Sequence, residues 1–202
     1  MNRLSKITVW LGIYIIISAS FMNQLNSFLT RTFGIKAVKF ALLFTYFLLV
    51  VFYTLYISRK KLPISRIVIS LFVFILAFFY LLWQPYIAEQ LHIFEYGILG
   101  YLALKDLLLP CKRNLKSILF ALFFVTLVGA LDEGFQKILP YRTFDPRDIA
   151  TNATSGFLGS IQYLVYRSRY RYVMIMLLSC YLAMGLILIK FYCAFFKTHI
   201  IP

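Results

Sequence analysis

Apolar residues in this chain form long stretches with few interruptions, and polar residues gather in the short segments between them. Most stretches approach about 20 residues, the length of an α-helix that crosses the hydrocarbon layer of a bilayer. The pattern predicts one all-α membrane domain over residues 1–202, a polytopic bundle of about seven transmembrane helices. The predicted spans are Ile7–Leu29, Ala37–Ile57, Ile67–Trp83, Ile87–Leu104, Ser117–Leu139, Asp148–Tyr166 and Tyr172–Phe196.

The composition agrees with a bilayer environment. Hydrophobic residues make up 62% of the chain and aromatic residues 19%, and the mean hydropathy is +0.83. A soluble domain of 202 residues with this composition would expose too much apolar surface. Ser18-Ala19-Ser20 faintly resembles a signal-peptide cleavage site, but we expect the first stretch to stay as a helix because six further spans anchor the chain.

The basic residues predict the orientation. The net charge is +14, and 13 of the 21 basic residues lie in the N-terminal segment and in the segments that follow spans two, four and six. Basic residues are enriched on the cytoplasmic side of membrane proteins, so we expect the N-terminus inside and the C-terminus outside. Clusters at span ends also interact with anionic lipid headgroups. We therefore expect membrane lipid as a partner and no nucleic acid.

Acidic residues are few, and most of them map to one place. Asp106 lies near Lys105 on the inner side, where we expect a solvated partner of basic residues. The remaining six map to the outer ends of spans four, five and six. Carboxylates near lipid are costly unless they face protein or water, and they commonly mark functional sites. The six residues are Glu89, Glu95, Asp132, Glu133, Asp145 and Asp148.

Helical spacing places these acids with other polar side chains on three faces, which predicts one shared pocket. Asp145-Pro146 resembles a helix start, so Asp145 is expected to be a cap. The first face carries Glu89, His92, Glu95 and Tyr96; the second Gly129, Asp132, Glu133 and Gln136; the third Asp148, Asn152, Ser155, Gly156 and Gly159.

Two motifs in this region resemble those of the VanZ-like family of bacterial integral membrane proteins. One is Asp132-Glu133-x-x-Gln136, followed by Arg142 and Asp148-x-x-x-Asn152 with Gly156 and Gly159. The other is Glu89-x-x-His92-x-x-Glu95-Tyr96-Gly97. The resemblance covers roughly residues 83–166 and leaves out the first two spans and the last. Ser155 stands where the family commonly has glycine.

The resemblance implies a multi-pass protein of the bacterial cytoplasmic membrane with a role at the cell envelope. The family takes its name from a protein linked to resistance to the glycopeptide teicoplanin, but this supplies no reaction. Together with the pocket, it favours an enzyme that hydrolyses an amphiphilic, lipid-linked envelope substrate or transfers a group from it. The candidate catalytic residues are His92, Glu95, Asp132, Glu133 and Asp148; the candidate substrate-binding residues are Glu89, Tyr96, Gln136, Arg142 and Asn152; the candidate helix-packing residues are Ser155, Gly156 and Gly159.

Several alternatives remain open from the residues. His92 fits a general base or a metal ligand, but also an interfacial histidine that hydrogen-bonds across helices. Asp132 and Glu133 could instead be ion partners of Arg142 and Arg147. A divalent cation held by carboxylates, His92 and Asn152 is an option that no recognised metal motif supports. The protein could also bind a cell-wall precursor, lipid or antibiotic without chemistry, or, least favoured, act as a small transporter.

Overall fold

The computed structural model describes residues 3–60, 62–84, 86–108, 115–139 and 145–167. Within these ranges the chain forms six α-helices and no strand, which confirms the all-α prediction for this part of the chain. Each helix matches one of the first six predicted spans to within a few residues. The predicted span Tyr172–Phe196 lies outside the described residues. The helices are α1 Lys6–Phe33, α2 Ile35–Arg59, α3 Ile64–Trp83, α4 Ile87–Leu107, α5 Leu115–Ile138 and α6 Pro146–Arg167.

Local signals explain where several helices begin and end. The Ser5 hydroxyl accepts a 3.3 Å hydrogen bond from the Thr8 amide and caps α1. Gly34 has a φ of +82° and separates α1 from α2, since residues with a side chain rarely adopt this backbone conformation. At α6, Asp145 Oδ1 accepts a 2.9 Å hydrogen bond from the Arg147 amide, and Pro146 occupies the first helical position. Asp145 is therefore the cap that its sequence context predicts.

Four of the described helices are long and apolar enough to cross a membrane: α1, α2, α3 and the Lys116–Ile138 portion of α5. α6 does not meet this criterion, which considers only length and composition, because its sequence carries many polar residues. Thirteen of its 22 residues are buried, against two of the 25 residues of α2. The apolar helices thus present side chains outward, as expected in lipid, while the polar helix α6 lies in the interior.

Backbone contact between α4 and α6 holds the polar helix in place. A Cβ built on Gly100 would lie 1.9 Å from the carbonyl oxygen of Gly156, and a Cβ on Gly159 would lie 1.8 Å from that of Gly97. These distances leave no room for a side chain. The Ser160 hydroxyl adds a 3.1 Å hydrogen bond to the Gly100 carbonyl. Small residues thus let the two helices pack backbone to backbone, in the same direction.

At the opposite end of the bundle, Asp106 joins α4 to the start of α1. Its Oδ2 accepts hydrogen bonds from the Ser5 amide at 2.8 Å and from the Thr8 hydroxyl at 2.5 Å. Asp106 is half-buried. The sequence predicts a solvated partner of basic residues, but the carboxylate of Asp106 instead accepts hydrogen bonds from donors at the start of α1. Further along α1, Ile15 and Ala19 are buried. The first apolar stretch is an integral part of the bundle.

Candidate functional site

The upstream motif places its polar side chains toward α5. The Tyr96 hydroxyl donates a 3.0 Å hydrogen bond to Asp132 Oδ2, and both side chains are fully buried. One turn earlier, His92 Nδ1 lies 3.2 Å from Glu95 Oε2. The His92 and Tyr96 rings meet edge to face with centroids 5.7 Å apart. Two hydrogen-bonded pairs of α4 and α5 are thus joined by a ring contact.

Asp132 and Glu133 are adjacent on α5, yet both are fully buried. Glu133 Oε1 accepts a 3.1 Å hydrogen bond from Gln136 Nε2, and Oε2 accepts one of 3.3 Å from the Asp145 amide. Glu133 therefore links the end of α5 to the start of α6. The sequence leaves open whether one carboxylate faces the pocket while the other meets an arginine; the described structure encloses both within protein.

Glu89 and Asp148 extend the cluster toward the helix ends. Both are half-buried. Asp148 lies close enough to Glu89 and to Glu133 to interact electrostatically with each of them. The carboxylates of α4, α5 and α6 thus share one region at the same end of the bundle. Their mutual repulsion must be offset by protons or by positive charge.

Asn152 lies one turn below Asp148, where α4, α5 and α6 meet. A Cβ built on Gly129 would lie 3.0 Å from Asn152 Cβ and 3.6 Å from Tyr96 Cε1. Asn152 is fully buried, and among the described residues neither of its amide atoms has a hydrogen-bond partner. Asp132 Oδ1 is likewise without a partner there. Buried polar groups in native proteins nearly always have a partner, so groups without a protein partner indicate a functional role, an ion or water.

Arg147 pairs with the residue that caps α6. Its Nε lies 3.0 and 2.8 Å from the two carboxylate oxygens of Asp145, and its Nη2 also bonds Asp145 Oδ2. The guanidinium hydrogen bonds hold the pKa of the Asp145 carboxyl below its ordinary value. Arg147 thus pairs with Asp145, whereas the sequence suggested Asp132 or Glu133 as its partner. Arg142 lies outside the described residues, so its anion-binding role stays a prediction.

The predicted helix-packing residues of α6 face α4 and α5. Gly156 and Gly159 meet α4 and α5 closely, since a Cβ on Gly156 would also lie 2.2 Å from Val125 Cγ1. Ser155 is buried, and its hydroxyl donates a 2.8 Å hydrogen bond back to the Thr151 carbonyl. Its backbone oxygen lies 3.8 Å from the Cβ position of Gly97. Serine fits here because its hydroxyl bonds within its own helix.

Tyr80 of α3 is a site neighbour that sequence reasoning missed. Its hydroxyl interacts with the side chains of Thr151 and Thr154, and it lies within electrostatic range of Asp148 and Glu89. A tyrosine near the end of an apolar span is expected at the membrane interface in any case. The sequence therefore contains no signal that distinguishes Tyr80 from the other tyrosines.

The predicted site residues come together to a large extent, but they do not form a recognisable metal centre within the described ranges. No group of three or more histidine, cysteine, aspartate or glutamate side chains there is arranged to hold a metal ion. A divalent cation stays a hypothesis.

Comparison with known proteins extends the resemblance noted in the sequence. No curated protein matches the chain, and no solved structure matches it. The family described as VanZ/LLP1 matches residues 7–167. The match includes α1, α2 and α3, so the expectation that the first two spans lie outside the family region is wrong. The acidic residues that make the motifs recognisable lie in α4, α5 and α6. The helices α1, α2 and α3 are mostly apolar and contain no comparable motif. Because the match covers most of the chain, including the six described helices from residue 7 onward, the chain belongs to the VanZ/LLP1 family.

Proposed function

We propose that this protein acts at the bacterial cell envelope on an amphiphilic, lipid-linked substrate, by hydrolysis or group transfer. The observation that carries the proposal is the meeting of His92, Tyr96 and Asp132 with Glu133 at one end of the bundle. Acids and an imidazole enclosed among apolar helices are typical of a functional site. Apolar helices that face outward around such a site would let a lipid tail lie between them while the lipid headgroup enters the site.

His92 and Glu95 supply the best acid–base pair. A carboxylate only accepts hydrogen bonds, so His92 Nδ1–H would donate to Glu95 Oε2 and leave Nε2 as the basic nitrogen. In hydrolysis, Nε2 would accept a proton from the attacking water and later return it to the leaving group. Glu95 would orient the ring and stabilise the imidazolium. Asp132, Glu133 and Asp148 are the further catalytic candidates, and Glu89, Gln136 and Asn152 are candidates for holding the headgroup.

We also propose that the chain is a multi-pass protein of the cytoplasmic membrane with seven spans, its N-terminus inside and the carboxylate end of the bundle outside. Support comes from the distribution of basic residues. Single cysteines placed in a variant without the three native cysteines would test it. Phe33→Cys and Tyr86→Cys should react with a membrane-impermeant maleimide in intact cells, while Arg59→Cys should react only after lysis. Equal labelling of all three in intact cells would contradict the topology.

The enzymatic proposal is tested by a turnover screen. Purified protein in nanodiscs is mixed with lipid-linked envelope intermediates, with and without a chelator, and the products are identified by mass spectrometry. We expect one substrate to be converted, and His92→Ala and Glu133→Gln each to abolish turnover while the thermal unfolding of the protein stays cooperative. Asp106→Asn, a charge-matched change at the other end of the bundle, should retain turnover. Full activity in both site variants would contradict the proposal.

Teicoplanin sensitivity of cells that carry the same variants tests the resistance role that the family name suggests.

Non-catalytic binding is the second candidate, and the unpartnered amide of Asn152 favours it. A fully buried amide of this kind can contribute affinity without taking part in bond making. In this case the ligand binds saturably and is recovered unchanged. A modified product would decide for the enzyme.

A further inference from the structure

The inner end of the site contains polar atoms that the described protein leaves without partners. Asn152 and Asp132 are fully buried, and within the described ranges both amide atoms of Asn152 and Asp132 Oδ1 make no hydrogen bond. A buried polar group without a partner destabilises the folded protein. Two acceptor oxygens and one amide donor group without partners in a single region point to a ligand.

These atoms lie around Tyr96, where three helices meet. Tyr96 bonds the other oxygen of Asp132 at 3.0 Å. A Cβ on Gly129 would lie 3.5 Å from Asn152 Nδ2 and 3.6 Å from Tyr96 Cε1. Gly129 and Asp132 are three residues apart and share one face of α5. Both unpartnered side chains therefore flank the same tyrosine.

Carboxyl groups outnumber basic side chains around these atoms, where His92 lies within electrostatic range of both Asp132 and Glu133. Glu133 is buried next to Asp132, and it lies within electrostatic range of Asp148. Arg147, the cation at the start of α6, is already bound by Asp145. A ligand group that added negative charge here would increase the repulsion, whereas a positive group would reduce it.

We propose that the ligand of this site carries a primary ammonium group, which lies between Asp132 Oδ1 and Asn152 Oδ1. This inference rests on the proposed function and narrows its substrate class. An ammonium has three N–H donors, so it can satisfy both acceptor oxygens while its charge offsets the carboxylates. Asn152 Nδ2 is then available to donate to an oxygen of the same headgroup. A quaternary ammonium has the charge but no N–H, and a phosphate without an amine has neither.

Lipid competition tests the proposal on the full chain. Protein in detergent micelles is equilibrated with equal amounts of phosphatidylethanolamine, phosphatidylcholine and phosphatidylglycerol, and the retained lipid is counted by native mass spectrometry. We expect phosphatidylethanolamine to be retained about tenfold over phosphatidylglycerol, because charge-assisted hydrogen bonds are the strong ones. Hexylammonium should displace it and hexanoate should not, which separates recognition of the amine from recognition of the lipid.

Variants locate the binding group. Asn152→Leu removes the unpartnered amide, so it should abolish the preference and leave thermal stability unchanged or higher. Asp132→Asn should also abolish it. Asn152→Asp keeps an acceptor oxygen and should retain the preference for phosphatidylethanolamine. This variant provides a second test if Asn152→Leu fails to fold. Asp106→Asn is the control and should bind as the wild type does.

Equal retention of the three lipids, preferential retention of phosphatidylglycerol, or an ethanolamine preference that survives Asp132→Asn would overturn the ammonium assignment. Failure of hexylammonium to compete would do so too. None of these results would affect the turnover screen, in which a substrate without an amine would still support the proposed function.

Discussion

The Tyr96 hydroxyl on α4 donates a 3.0 Å hydrogen bond to Asp132 Oδ2 on α5, and neither side chain is accessible to solvent. Asp132 Oδ1 has no partner among the described residues, so this bond is a principal protein contact of a buried carboxyl group. It connects the two family motifs through residues that are 36 positions apart in the chain.

Tyr96→Phe should destabilise the protein. The change keeps the ring but removes the hydroxyl that donates to the buried carboxyl group of Asp132, and the loss of such a donor costs about 1–3 kcal/mol. Thermal unfolding in detergent measures the effect. Tyr101→Phe is the matched control, since Tyr101 meets Tyr53 and Tyr163 through ring contacts that phenylalanine preserves. A loss of stability in Tyr101→Phe as large as in Tyr96→Phe would mean that the hydroxyl at position 96 has no special role.

Gly100→Ala and Gly159→Ala should force α4 and α6 apart. The new Cβ would meet backbone atoms at 1.9 and 1.8 Å, and overpacking of this kind typically costs about 1–3 kcal/mol. Gly134→Ala is the opposite case, because nothing lies within 4 Å of its Cβ position. There the change should stabilise the helix by about 1 kcal/mol. Chemical denaturation of the three variants checks both signs, and similar losses at all three positions would contradict the close-contact argument.

Asp106→Leu should loosen the attachment of α1. The Ser5 amide and the Thr8 hydroxyl would lose their acceptor, at a cost of about 1–3 kcal/mol. Asp106→Asn keeps one acceptor oxygen and should lose less. Thermal unfolding of the two variants measures the difference; equal stability of Asp106→Leu and wild type would show that the contact contributes nothing.

The Asp145–Arg147 pair should give a small, pH-dependent contribution to stability. Its carboxyl pKa is lowered from the ordinary 3.8, so the contribution is present above pH 3.8 and is lost as the pH falls through the lower folded value. Arg147 is 60% exposed, so solvent screening limits the pair to about 0–1 kcal/mol.

Asp145→Asn retains a capping oxygen and therefore isolates the charge. Near neutral pH, the melting temperature of this variant should lie no more than about 2–4 °C below that of the wild type. The difference should shrink with acid and with salt. A gap that widened toward pH 3 would contradict the assignment.

The sequence predicts the six described helices well because their apolar stretches are long and bounded by charged or turn-forming residues. It also predicts that α4, α5 and α6 share a polar face, since carboxylates are rare in the rest of the chain. It cannot predict that Glu133 accepts a hydrogen bond from the Asp145 amide, or that Arg147 pairs with Asp145, the residue that caps α6. These contacts depend on the path of the chain between α5 and α6. Tyr80 was missed for a related reason, since its role depends on which helix packs against α3.

The interior position of α6 has a consequence for biogenesis. A helix with Asn152, Ser160 and Gln162 buried along its length gains little from entering lipid alone, because each polar group would lose its solvent without gaining a partner. In the proposed topology, α6 must therefore leave the translocon against helices that are already inserted, where Ser70 of α3 and Gly100 of α4 provide its hydrogen bonds. The order of synthesis delivers both helices first.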